Sequence, residues 1–232
     1  MDGELTLQPV ARLRCDFPTK FGVPRQSGLV DELRGTVVFE PSFRTPDGVR
    51  GLEEFSHIWL VWGFHLAQRE GWSATVRPPR LGGNQRMGVF ATRSPFRPNP
   101  LGLSCVRLEG VELTTPQGPV LHVAGADVVD GTPIYDIKPY LPYADCHPEA
   151  TEGFAPAPGR LEVDIPPRLL ERVPAEQREA LRGVLSCDPR PHYHDDPQRV
   201  YGMGFAGLEV RFTVAGEKLT VTDIQPDCGS GA

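Results

Sequence analysis

Short strand-like apolar runs recur along the chain, punctuated by glycine and proline. Residues 5–13, 36–40, 57–64, 87–92, 103–108 and 120–129 each read as a strand. Runs of this length, bounded by glycine and proline, read as strands. Short strands with few long helical patterns predict a mainly β fold, a barrel or a sandwich. The 25 glycines and 25 prolines supply its many tight connections. Residues 151–159, TEGFAPAPG, interrupt the pattern and read as a linker. Beyond them Leu169, Leu170, Val173, Leu181, Val184 and Leu185 fall near helical spacing, with Pro174 breaking or restarting the helix. Residues 209–223 read as a hairpin: Val210, Phe212 and Val214 alternate, Ala215-Gly216-Glu217 turns, and Leu219 and Val221 alternate back. The expected organisation is a β domain over 1–150 followed by a small α+β domain over 160–232.

Length and composition agree with this picture. A chain of 232 residues with 39% hydrophobic and 23% charged residues is long enough for one large core and a small second one. The start, MDGELTLQPV, is acidic and lacks the apolar stretch of a signal peptide. The longest apolar run, residues 58–64, is too short to span a bilayer, so no membrane partner is expected. Cys15, Cys105, Cys146, Cys187 and Cys228 are odd in number and never spaced as CxxC. This argues against a disulfide framework or zinc cluster and suits a reducing cytoplasm, with no bound metal.

Charge changes the picture locally. The net charge is −6, yet residues 71–108 contain no Asp or Glu and carry +6 from Arg77, Arg80, Arg86, Arg93, Arg97 and Arg107. The remainder therefore carries −6 minus +6, or −12. Arginine outnumbers lysine 21 to 3, so coding bias explains the choice of arginine but not a 38-residue stretch without an acid. An anion-binding face is the better reading.

Several motifs lead nowhere. GMGFAG (202–207) fits GxGxxG, but the residues after it alternate as a strand and only 25 remain, too few for a dinucleotide-binding unit. HYHDD (192–196) lacks a second cluster of metal ligands and reads as a polar loop. No serine sits in a G-x-S-x-G elbow.

Three stretches are chemically loaded: FGVPRQSGLV (21–30), RPPRLGGNQRMGVFATRSPFRPNPLGLS (77–104) and VVDGTPIYDIKPYLPYAD (128–145). Prolines beside polar residues stiffen a loop and reduce the entropy it loses on binding. With RGLEEFSHIW and a late DPRP (188–191), they occur in an order that resembles the tRNA (N6-threonylcarbamoyladenosine) methyltransferases, the TrmO or TsaA-like family. The likeness runs through nearly the whole chain and is strongest over 21–145.

The resemblance implies a single β-barrel domain that binds S-adenosylmethionine, then the small α+β domain. It implies methylation of threonylcarbamoyladenosine beside the anticodon of threonine tRNA, by a homodimer. Carried over by motif, the cofactor contacts are Pro24, Arg25, Gln26, His65, Arg93, Leu103, Asp127, Val128, Val129 and Asp130. Leu66 stands where many relatives have glutamine. Arginines hold carboxylates, and an aspartate accepts from ribose hydroxyls. Arg77, Arg80, Arg86 and Arg97 are the candidates for RNA phosphates. The acceptor nitrogen is a poor nucleophile that must lose a proton, and Asp130, Asp136 or a tyrosine such as Tyr140 is placed to take it. Two other classes fit the residues less fully: a non-catalytic RNA-binding barrel, and a small-molecule hydrolase using Asp130 and Asp136 as an acid/base pair.

Overall fold

The structure, a computed structural model, describes residues 5–67, 71–78, 81, 85–190 and 196–227. In chain order the strands are β1 Ala11–Cys15, β2 Arg34–Phe39, β3 His57–Gly63, β4 Thr75–Val76, β5 Met87–Gly88 and β6 Leu101–Glu112. They continue as β7 Val120–Ala124, β8 Pro133–Pro139, β9 Glu162–Asp164, β10 Tyr201–Phe205, β11 Leu208–Ala215 and β12 Lys218–Pro226. The helices are α1 Pro142–Asp145, α2 Pro167–Leu170 and α3 Arg178–Ser186. Among the described residues, no helix is long and apolar enough to cross a membrane.

Six strands close an antiparallel barrel in the order β1-β2-β7-β6-β3-β8, with β8 returning to β1 through Ala11↔Ile134 and Arg12↔Pro133. Closure satisfies both edges and leaves an interior for the inward residues of each strand. Leu13, Val37, Ile58, Leu60, Val106, Leu121, Val123 and Ile134 fill it. The mainly β expectation is met, and the closed sheet decides for the barrel.

Individual strands depart from the expected runs in instructive ways. The closing strand β8 lies inside a stretch read as a loop. Its prolines occupy its first and last positions, so residues 134–138 keep the amides that pair with β3. The run 87–92 is a strand only at Met87–Gly88; Val89 is buried while Phe90 points outward from a 3-10 turn. Strand β1 begins at Ala11 rather than residue 5. Strand β6 exceeds the expected 103–108 because its two halves pair with different neighbours, 101–107 with β3 and 107–112 with β7. A bulge at 108/110 hides that continuity in the sequence. GMGFAG is β10 plus the turn Ala206-Gly207, both at positive φ, so it is no phosphate loop.

The second sheet has the order β10-β11-β12-β9, and the predicted hairpin is its centre. Pro174 does separate two helices, and α3 buries Ala180, Leu181, Val184 and Leu185 against the sheet. The two hydrophobic cores do not divide at the linker. Phe17, Val30 and Leu33, from the segment between β1 and β2, belong to the core of the second sheet.

Candidate functional site

A cleft of about 500 Å³ opens where four chain segments meet at the barrel. One is the lip between β1 and β2, with Lys20 and Val23–Gln26. The others are the end of β3 running on to Ala67, the proline-rich loop 93–103, and the turn 127–132 that enters β8. The volume and mixed lining are those of a small-molecule site.

Trp59, Trp62, Phe64, Leu101, Leu103, Val128 and Val129 give the cleft its apolar surface. A register shift at 61/62 between β3 and β8 re-aims Trp62. Gly102, its partner across the sheet, makes room for it. A Cβ there would lie 2.3 Å from the indole, closer than any real contact. Trp62 Nε1 donates to Ser104 Oγ at 2.9 Å, and Ser104 in turn donates to Asp127 Oδ1. Ser104 is 1% exposed, so this is a buried polar relay rather than a surface contact.

Asp127 is the acceptor end of that relay. Burial pushes its carboxyl above the ordinary carboxylate range, opposed by Ser104, backbone amides and the nearby Arg93. Arg93 also donates to Gln26 Oε1, which ties the proline-rich loop to the lip. Gln26 is braced by its Nε2, which donates to the carbonyl of Arg25. The loop is held by its own arginine: Arg97 donates to the carbonyls of Ser94 at 3.1 Å, Val89 at 3.3 Å and Thr92 at 2.5 Å.

His65 lines the cleft with Thr132 Oγ1 at 3.5 Å from its Nδ1. Burial, and then Arg12, hold its imidazole below the ordinary value, while Asp130 pulls the other way. It is therefore neutral at pH 7. A depressed histidine contributes its stability fully above about pH 6.5 and loses it as pH falls through the folded value. Cofactor affinity should fall as pH drops through the depressed value of this imidazole, on the acid side of the ordinary histidine range, because a cationic imidazole repels a cationic ligand. Titration calorimetry across pH 5–8 checks this, and His65→Asn should flatten that dependence.

The sequence-chosen positions separate here. Pro24, Arg25, Gln26, His65, Arg93, Leu103, Asp127, Val128 and Val129 all line this one cleft. Asp130 does not: its Oδ1 accepts from the Cys15 amide at 3.0 Å and its Oδ2 from Arg14 at 3.3 Å, which pins the turn to β1. Asp136 is exposed on β8, bonded to Lys138 at 2.9 Å and to the Ile137 amide. Tyr140 packs on Trp59 at 5.8 Å, and burial, with Cys146 and Asp145 nearby, raises its phenol, so it stays protonated at neutral pH. Of the RNA candidates, Arg77 and Arg86 are exposed. Arg97 is turned inward to its loop carbonyls, and Arg80 lies outside the described residues. His192, His194 and Asp195 of HYHDD also lie outside them.

Sequence reasoning missed Trp59, Trp62, Ser104 and Thr132. The signal for the tryptophans was present in HIWLVWGFH, two indoles three residues apart on a core strand. Nothing local marks Ser104, which matters only through partners far away in the chain. Cys15, close to the site, is not a nucleophile, since burial pushes its thiol up to about 12.

S-adenosylmethionine fits these residues: aromatic and aliphatic walls for an adenine, Arg25 and Arg93 for a carboxylate, and Asp127 as an acceptor for hydroxyl or ammonium groups. The family model for the tRNA-methyltransferase O N-terminal domain matches residues 12–146, and that for the TrmO C-terminal domain matches residues 158–227. A tRNA (adenine(37)-N6)-methyltransferase of Escherichia coli (strain K12) is 39% identical over 229 residues, covering 94% of this chain and 97% of its own. A putative S-adenosylmethionine-dependent methyltransferase RcsF of Pseudomonas aeruginosa is 39% identical over 223 residues, covering 89% of this chain and 91% of its own. A crystal structure of TrmO from Pseudomonas aeruginosa matches with a TM-score of 0.76 at 34% identity, over 96% of this chain and 99% of that one. With both domains matched in order, and the whole cleft lining inside the first of them, the chain belongs to the tRNA-methyltransferase O family.

Proposed function

We propose that this chain is an S-adenosylmethionine-dependent methyltransferase that modifies N6 of threonylcarbamoyladenosine at position 37 of tRNA. The observation that carries the reading is the cleft itself, where a half-buried carboxylate, two arginines and an aromatic wall meet in a chain that resembles a tRNA (adenine(37)-N6)-methyltransferase over 94% of its length. The cofactor supplies an electrophilic methyl group on a sulfonium, so the protein's work is alignment and exclusion of water. Trp59, Trp62 and Phe64 exclude water, Arg25 and Arg93 offer N–H groups to a carboxylate, and neutral His65 adds no charge against the sulfonium. Asp127 is held in place by Ser104, so it needs no rearrangement when a ligand arrives.

Of Asp130, Asp136 and Tyr140, Asp136 is the side chain we assign to proton removal. Asp130 is tied to another strand by the Cys15 amide and Arg14, whereas Asp136 makes only local bonds, to Ile137 and Lys138, and Tyr140 is a donor. The Asp136–Lys138 pair is exposed and therefore weak, which leaves Asp136 free to exchange partners. Its strand partner Val61 adjoins Trp62 of the cleft.

The finer reading is threonine tRNA as substrate, a homodimer, and a cytoplasmic enzyme. The arginine-rich, acid-free segment 71–108 suits RNA phosphates and the threonyl carboxylate. Leu66, Trp72, Phe90 and Leu103 are large, apolar and exposed around the cleft and the neighbouring loop, which supports a second copy covering that face. The free thiols of Cys15, Cys105, Cys146 and Cys187 suit a reducing compartment. Calorimetry with S-adenosylmethionine on the purified chain tests the cofactor reading. Micromolar or tighter binding is expected, whereas tRNA binding without cofactor binding would favour a non-catalytic RNA-binding barrel.

A further inference from the structure

Asp188 and Arg190 of the DPRP motif do not line the cleft, yet they reach it through Arg25. Helix α3 ends at Ser186, and Asp188 follows at φ 53°, a left-handed conformation that Asp and Asn adopt more readily than most residues. Its carboxylate receives Arg190 Nε at 3.0 Å and 3.1 Å, with both side chains largely buried at 16% and 15% exposure. This clamp folds 188–190 back on itself, and the carbonyl of Arg190 accepts from Arg25 Nη2 at 3.5 Å. Arg25 lines the cofactor cleft.

The lip that carries Arg25 rests on the same domain. Phe17 packs edge-on against Phe205 with ring centroids 5.4 Å apart, and the Asp16 carbonyl accepts from the Ala206 amide at 2.9 Å. Gly22, at φ 93°, lies so close to Met203 that a Cβ would fall 2.1 Å from its sulfur. Val30 presses on Gly183 of α3, where a Cβ would lie 2.5 Å from its methyl. Arg160 donates to the Leu29 carbonyl. The barrel supplies three segments of the cleft, and the C-terminal domain seats the fourth.

We propose that the C-terminal domain is part of the cofactor site, with Asp188 and Arg190 as positioning residues that set Arg25 and the lip against the barrel. They touch no ligand and act through Arg25. The proposal rests on the cleft holding S-adenosylmethionine, and it adds a task for the C-terminal domain that does not involve RNA.

The test uses Asp188→Asn in the full chain, since Asn tolerates the positive φ and keeps the shape but loses the charge. S-adenosylmethionine should bind about 3- to 30-fold more weakly, the range expected for a residue acting at one remove. The rate at saturating cofactor should hold. In the cofactor-free protein the amides of residues 20–28 should exchange faster with deuterium. Arg172→Ala is the control. It removes an ion pair with Asp223 and a bond to the Ile224 carbonyl elsewhere in the same domain, so it should lower the melting temperature and leave cofactor affinity alone. Arg190→Gln gives the same readouts if Asp188→Asn fails to fold. Unchanged affinity and exchange in Asp188→Asn would overturn the proposal, as would an equal loss of affinity in Arg172→Ala. If the unaltered chain gave no heat with S-adenosylmethionine, the cofactor reading of the cleft would fall, and this proposal with it.

Discussion

Gly102→Val should lower S-adenosylmethionine affinity by about 100-fold or more while the barrel still forms. The position is a regular strand site on β6, so valine suits the backbone, and the damage falls on one neighbour. Even a Cβ would overlap atoms of the Trp62 ring at 2.3 Å, and that ring is 8% exposed, with little room to retreat. The indole must leave its slot, which breaks its bond to Ser104 and loosens the hold on Asp127. Overpacking costs about 1–3 kcal/mol, and a buried polar group left without its partner costs about 1–3 kcal/mol more. Much of this is felt as a misshapen cleft. Thermal unfolding should show a melting temperature lower by about 4–20 °C, and calorimetry should show the loss of binding. A Gly102→Val protein with native cofactor affinity would show that Trp62 does not shape the site.

The second large effect is on the chemical step. Asp136→Asn should slow methyl transfer by about 100-fold or more, on the scale of a lost general base, with cofactor affinity unchanged. Asparagine preserves the bond to the Ile137 amide and the exposed setting on β8, so the fold has no reason to respond. It cannot take a proton. Single-turnover transfer and a cofactor dissociation constant on the same variant separate the possibilities. An unchanged rate means that Asp136 only ties the strand to Lys138, and weakened cofactor binding means that it serves the other side of the site.

The barrel was legible in short strand-like runs bounded by glycine and proline, such as 57–64, and the second sheet in the alternating hairpin read over 209–223. Strand β8 was not, because Pro133 and Pro139 signal a loop, and only its place between β3 and β1 shows that they bracket the strand. Phe90 shows the reverse error, an apolar residue in a strand-like run that a 3-10 turn exposes to solvent. The motif loops marked the cleft because stiff, charged loops need a purpose. What the motifs lacked were the supports. Ser104 is an ordinary strand serine until Trp62 and Asp127 arrive from elsewhere in the chain, and Phe17, Val30 and Leu33 read as buried without showing in which core. Periodicity reports that a side chain is buried; only tertiary pairing reports by what.

The most direct test of the account is methyl transfer from radiolabelled S-adenosylmethionine to threonine tRNA, with and without the threonylcarbamoyl group on the adenosine next to the anticodon. Label should appear only on the modified tRNA, and nuclease digestion should recover it on N6 of that single nucleoside. Equal labelling of both tRNAs, or label on any other nucleoside, would contradict the account.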